Sequence, residues 1–245
     1  MNPYLAGIIV GDGHIEKNGR VVIASSNKDF IENIKDLIKF KTSIFYDKSA
    51  NVWKVSSNSK EFLEEMEKIG VKRGNKTTEN MYIKLNKNEM CLFVSGLYDA
   101  EGHFEINEKY YKIRIKMKNE SIMELVYNFL IGNGYEPRIC RKDGCIAVDI
   151  NKQKNVIKFI SNFILLHPKW RRLENLLSGA EGLNLQGYTR PTMRRTMGCN
   201  AVRRSQSPKP MPSSDRGLQL APVKPESLVS EGHQCCEFLD DYLAS

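Results

Sequence analysis

The 245-residue sequence contains no apolar stretch near the roughly 18 residues that a membrane-crossing helix requires, so no membrane role is expected. Its first residues, MNPYLAGIIVGDGH, lack the basic region and cleavage site of a secretion signal, and an intracellular, non-secreted chain is expected. The six cysteines include no Cys-x-x-Cys pair, which removes the common zinc and thioredoxin-like spacings and fits a reducing compartment. Cys140 and Cys145 flank a hairpin turn and are expected as two packed thiols. Acidic residues are outnumbered, 29 against 37 basic, and the resulting charge of +8 favours a polyanionic partner. Proline is scarce until residue 179, after which six of the nine occur together with Ser, Arg and Gly and without apolar periodicity. From that composition 179–245 is expected to be an appended or disordered tail, and its removal is expected to leave activity intact.

What the sequence does have is a duplication. Leu5-Ala-Gly-Ile-Ile-Val-Gly-Asp-Gly13 recurs as Val94-Ser-Gly-Leu-Tyr-Asp-Ala-Glu-Gly102, with His14 and Glu16 answered by His103 and Glu105. Further on, the segment around Ser26 aligns with that around Lys118 at a larger offset, which implies a longer hairpin in the second copy. Each copy reads as a small-residue-rich helix, two strands, a helix, two strands and a helix, an α+β pattern with repeats over 1–82 and 83–178. In the first copy Asn2 and Pro3 suit a helix start and Gly13 its stop. Asn18-Gly19 signals a tight hairpin between strands near 14–17 and 20–26. Asn27 caps a helix with apolar spacing at Phe30, Ile31, Ile34, Leu37 and Ile38, and strands near 43–48 and 51–57 precede a helix over 59–69. In the second copy Asn88 is placed to cap the first helix, strands run near 103–107 and 110–118, and Asn119 caps a helix to about 132. A hairpin across Lys142-Asp-Gly144 and a helix from about 151 complete it.

The repeated segment has chemical meaning. Gly7 and Gly11 share one helix face, as do Gly96 and Ala100, so two helices can approach closely. Each helix then ends in an acid followed by glycine, Asp12 and Glu101. An acid at a helix C-terminus meets the negative end of the dipole, which costs roughly 0.3–1 kcal/mol, and two such acids call for a compensating cation. A divalent ion is the natural one. Alternation in Lys112-Ile-Arg-Ile-Lys-Met-Lys118 puts Lys112, Arg114 and Lys116 on one face and Ile113, Ile115 and Met117 on the other. The corresponding stripe in the first copy, Arg20, Val22, Ala24 and Ser26, is flatter and less charged, so the two halves should read dissimilar sequences. Glu16, Glu105, Asn107, Lys54, Ser56, Arg138, Arg141 and Lys142 are further candidates for base or phosphate contact.

The paired segments LAGIIVGDG and VSGLYDAEG resemble the duplicated signature of LAGLIDADG homing endonucleases over about residues 1–178. The resemblance implies a pseudo-symmetric αββαββα monomer with the signature helices at its centre and a saddle of antiparallel sheets over double-stranded DNA. It makes Asp12 and Glu101 the metal ligands, with Gly11 and Ala100 alongside, and leaves Asp99, opposite Val10, outside that role. The implied ion is Mg²⁺, with Mn²⁺ or Ca²⁺ as substitutes and Ca²⁺ non-catalytic, and the implied reaction is a staggered double-strand break across the minor groove. A basic residue at the end of the second strand assists in the family. Lys118 matches that place but the first copy has Ser26, which leaves one half without that lysine; either Ser25 or Lys28 partly substitutes, or the two strands are cut at unequal rates. His14 and His103 follow the acids by two residues, and the resemblance gives them no catalytic role; they are expected to face the groove. The alternatives on the same scaffold are an RNA maturase that binds host intron RNA and a catalytically inactive transcription regulator, both disfavoured by two intact acids. A self-splicing insert is not expected, since the sequence neither begins with Cys or Ser nor ends in His-Asn.

Overall fold

The computed structural model describes residues 1–74, 80–107, 110–171 and 173. The first repeat comprises α1 (Pro3–Gly11), β1 (Gly13–Ile15), β2 (Val21–Ser25), α2 (Lys28–Leu37), β3 (Ser43–Asp47), β4 (Val52–Ser57) and α3 (Lys60–Ile69). The second comprises α4 (Lys87–Glu101), β5 (Gly102–Asn107), β6 (Tyr110–Met117), α5 (Glu120–Gly132), β7 (Arg138–Lys142), β8 (Cys145–Ile150) and α6 (Gln153–Asn162). The expected αββαββα order therefore occurs twice, and the 82/83 division falls between α3 and α4. The tail 179–245 lies outside the described residues.

Local chemistry explains where most helices begin. Side-chain oxygens of Asn2, Asn27, Ser59 and Asn119 accept from the backbone N–H of Leu5, Phe30, Phe62 and Ile122 at 2.8–3.1 Å. The start of α4 departs from expectation: its cap is Asn86, not Asn88. Asn86 Oδ1 accepts from Glu89 N at 3.0 Å while Glu89 Oε2 accepts from Asn86 N at 2.9 Å, and this reciprocal box starts the helix two residues early. Tight turns form where predicted, with Gly19 at φ +89° and Asp143 and Gly144 both in the left-handed region.

Both sheets are antiparallel, in the orders β1-β2-β4-β3 and β5-β6-β8-β7. One face of each carries Val21, Ile23 and Val55, or Ile113, Ile115, Val148 and Ile150, all within a single core that runs through both repeats. The other face is open. Residues opposite one another there form the rows His14–Val22–Ser56–Ser43 in the first sheet and His103–Arg114–Asp149–Arg138 in the second. As expected, β5 and β6 are longer than β1 and β2. Cys140 and Cys145 are separate thiols.

The repeats meet at α1 and α4. Every residue of α1 is buried, as is Met90–Asp99 of α4. A methyl group on Gly7 would run into the Phe93 carbonyl oxygen and lie 2.8 Å from Leu97 N, and one on Gly96 would meet the Tyr4 carbonyl and lie 3.2 Å from Ile8 N. Only glycine admits so close a crossing of two backbones. Two exit segments tie the halves together. Met81, after α3, donates its N–H to Ser121 Oγ of α5 at 3.0 Å. After α6, the chain returns along α4, with Ile164 N donating to Ser95 Oγ at 3.2 Å, and the His167 ring packs 4.5 Å from Phe30 of α2. Among the described residues no helix is long and apolar enough to cross a membrane.

Candidate functional site

Asp12 is the exposed C-cap of α1 and Glu101 the half-buried last residue of α4. A methyl group on Gly11 would strike the Ala100 side chain and come within 3.2 Å of Glu101 Cγ, so the feet of the two helices are in contact. The helix pairing thus brings the acid-bearing ends of the two repeats together. Asp99, excluded above as the shared acid, is fully buried instead. Its Oδ2 accepts from the Tyr4 hydroxyl at 2.5 Å and from Leu166 N at 2.6 Å, fastening α1, α4 and the C-terminal segment together. Burial pushes this carboxyl up to about 6, against the opposing pull of those hydrogen bonds.

Sequence reasoning missed one member of the site. Lys169 Nζ donates to the main-chain carbonyls of Asp99 at 2.7 Å and Ala100 at 3.2 Å, capping the C-terminal end of α4. Burial lowers the pKa of this ammonium, while the fields of Asp99, Asp12 and Glu101 act the other way and hold the charged form. A cation therefore caps the acid-bearing end of α4, within the field of both acids. No periodicity marks Lys169: it follows His167-Pro168 in an irregular segment and reaches the site only because that segment doubles back.

Among the described residues no three His, Cys, Asp or Glu side chains cluster for a metal. An ion at this point would rest on the Asp12 and Glu101 carboxylates, on the main-chain oxygens of Gly11 and Ala100, and on water. This all-oxygen donor set suits a hard ion such as Mg²⁺, which retains several waters and needs few protein ligands. The Ala100 carbonyl is shared with Lys169.

The open faces hold most of the predicted contact residues. His14 and His103 are exposed at equivalent places, with Nε2 atoms 4.0 Å from Glu16 and 3.7 Å from Glu105. Glu105 pairs with Lys112 at 2.6 Å, and Arg114 with Asp149 at 2.6 Å. In the first sheet Lys54 pairs with Asp47 at 2.7 Å, and Arg20 donates to Ser56 at 2.9 Å with its guanidinium over the Phe45 ring. Lys116, Arg138 and Lys142 are exposed on the second sheet's open face. Ser26 and Lys118 are the exposed residues just past β2 and β6, as the duplication requires. Asn107 ends β5, and its side chain lies outside the described residues. Two expectations change. Arg141, opposite Ile146, points to the helix-bearing side and pairs with Glu120 of α5 at 3.1 Å, because alternation puts it one step out of phase with Arg138 and Lys142. Ser56 is 6% exposed, covered by Arg20, so it supports that side chain rather than presenting its own hydroxyl.

Comparison with known proteins agrees with this architecture. The LAGLIDADG-like domain model matches residues 1–70 and 88–163, one stretch per repeat. The structure of I-DmoI in complex with DNA and Ca superposes with a TM-score of 0.51 at 24% identity, covering 71% of this chain and 96% of that one. Full-length DUF199/WhiA from Thermatoga maritima superposes with a TM-score of 0.53 at 14% identity, covering 72% and 59%. A curated relative, glutamine–fructose-6-phosphate aminotransferase [isomerizing] of Methanocaldococcus jannaschii, is 24% identical over 206 residues, and the match spans about a fifth of that protein's length, 19%. With each repeat matched in turn and the two signature helices paired at the centre, the chain belongs to the LAGLIDADG-like domain family.

Proposed function

We propose that the chain is a site-specific DNA endonuclease that makes a staggered double-strand break in a long asymmetric target by metal-dependent phosphodiester hydrolysis. The observation that carries this reading is the contact between the acid-bearing ends of α1 and α4, where Gly11, next to Asp12, lies against Ala100 and Glu101. Further support comes from the I-DmoI complex, which shares the fold and was crystallised with DNA and Ca.

A bound divalent ion would lower the pKa of an attacking water and stabilise charge on the leaving oxygen. The chain's own residues do the rest. Asp12 and Glu101 would hold that ion through their carboxylates, one acid from each repeat. Lys169 offsets the negative field of the acids and of the α4 carbonyl end, and keeps Glu101 at a fixed helix terminus. The open faces of the two sheets, with Arg20 and Lys54 on one side and Lys112, Lys116, Arg138 and Lys142 on the other, position the duplex through its phosphates and base edges. Lys118 serves one half only, since Ser26 has no charge to contribute, and unequal cutting of the strands follows. The protein acts as a monomer, since both halves of the site come from one chain.

The test uses purified protein, Mg²⁺ and a randomised DNA library, with the cut ends sequenced. Asp12→Asn and Glu101→Gln should abolish double-strand cleavage while retaining DNA binding. Full cleavage by the double variant would refute the site.

A further inference from the structure

The two sheets differ most sharply at one equivalent place. In the second position of the row that starts at the histidine, the first sheet has Val22 opposite Ser56 and the second has Arg114 opposite Asp149. Arg114 Nε donates to Asp149 Oδ1 and Nη2 to Oδ2, each at 2.6 Å. The carboxylate is 8% exposed and the guanidinium 27%, so the acid lies beneath and the arginine lies above it. Neighbouring Ile113 and Ile115 are in the core, which fixes Arg114 on the open face.

A side-on pairing of this kind consumes the Nε–H and one Nη2–H. The N–H groups left over, on Nη1 and on the second position of Nη2, form an end-on fork, and among the described residues nothing accepts from it. Two parallel donors at that spacing match the O6 and N7 acceptors that guanine alone presents together in the major groove, and a two-stranded β-ribbon fits that groove. Asp149 also cancels the arginine's charge, which weakens attraction to a phosphate but leaves the directionality of the fork intact. With its rotamer held by two short hydrogen bonds, the fork loses little freedom on binding.

We infer that Arg114, held by Asp149, reads a guanine in the major groove on the second repeat's side of the cut, and that the first repeat, with Val22 in the same place, makes no such demand. This rests on the DNA-binding reading above and names one base within it.

The experiment selects bound DNA from a randomised library with the full chain in Ca²⁺, so that recognition is read without cutting. Three proteins are compared: the natural chain, Arg114→Lys, and the double variant Arg114→Val with Asp149→Ser. The double variant copies the pair that the first sheet already holds, so it leaves no buried carboxylate unpaired, and thermal melts verify that it folds. The natural chain should select a sequence with guanine at one position flanking the centre on one side. Both variants should lose that preference by about tenfold to a hundredfold at that position alone. The salt dependence of binding should stay as it was, whereas loss of a phosphate contact would lower its slope by about one. A defined natural sequence preference with no guanine there, or variants that keep it or weaken all positions evenly, would overturn the inference and leave the endonuclease reading standing. Selection of no sequence by the natural chain would remove both.

Discussion

Replacing Gly7 with alanine tests whether the two carboxylates meet because the helices cross at glycine. The added methyl would fall against the Phe93 carbonyl and 2.8 Å from Leu97 N, both main-chain atoms that cannot rotate aside. Relief requires α1 and α4 to separate by about 1 Å, since ordinary carbon contacts lie at 3.5–4.0 Å. Overpacking of a tight core costs typically 1–3 kcal/mol, and a backbone obstacle belongs at the upper end of that range. Alanine recovers about 1 kcal/mol of helix propensity, which leaves a net loss of about 2 kcal/mol. For a chain of this size that is a fall in Tm of roughly 4–8 °C. Gly132→Ala is the control: nothing lies within 4 Å of its methyl, so it should raise stability by about 0.5–1 kcal/mol. Calorimetric or chemical unfolding of the two variants reads the difference, and cleavage by Gly7→Ala should drop further than its stability loss explains, because the acids move apart. A Gly7→Ala protein as stable as Gly132→Ala would refute the close crossing.

Other outcomes follow from the same geometry. Lys169→Met should slow cleavage by about a hundredfold with DNA affinity nearly unchanged, measured in single-turnover assays; unaltered rates would reduce the lysine to a helix cap. Asp47→Asn should strengthen DNA binding and steepen its salt dependence by about one, because Lys54, whose hydrogen bond holds the Asp47 carboxyl well below the usual range, would be freed for phosphate; an unchanged slope counts against Lys54 as a contact. Burial, aided by Lys169, pushes His167 down to about 4 from 6.5. The folded state then binds fewer protons than the unfolded chain in that interval, so this stability is present above pH 6.5 and is lost as pH falls toward 4. Asp99, with its carboxyl raised to about 6, acts in the opposite sense over the same window, so the difference is what reads the histidine: as pH falls from 6.5 to 4 the natural chain should lose Tm relative to His167→Gln, and a constant difference would exclude the histidine as a cause.

Features governed by neighbours in the chain were legible from the residues alone. The duplication, most caps, the Asn18-Gly19 and Asp143-Gly144 turns and the alternation of Lys112 to Lys118 each depend on a few adjacent positions, and a two-residue or 3.6-residue period records them directly. The same local logic failed where two signals competed, as at Asn86 and Asn88, where the reciprocal bond to Glu89 decided which asparagine starts the helix. Placing Arg141 required the phase of β7 against β8, which a short strand with three basic residues does not announce.

By itself the sequence determined that two related halves each end a glycine-bearing helix in an acid and follow it with a patterned strand hairpin. Only the tertiary structure decided what surrounds those acids. Lys169 lies 68 residues from Glu101 in sequence, and Asp149 lies 35 from Arg114, and no periodicity links residues so far apart. Their meeting depends on helix crossing, strand order and a segment that turns back along α4, all of which are set by how apolar faces pack together and not by any local preference of the chain.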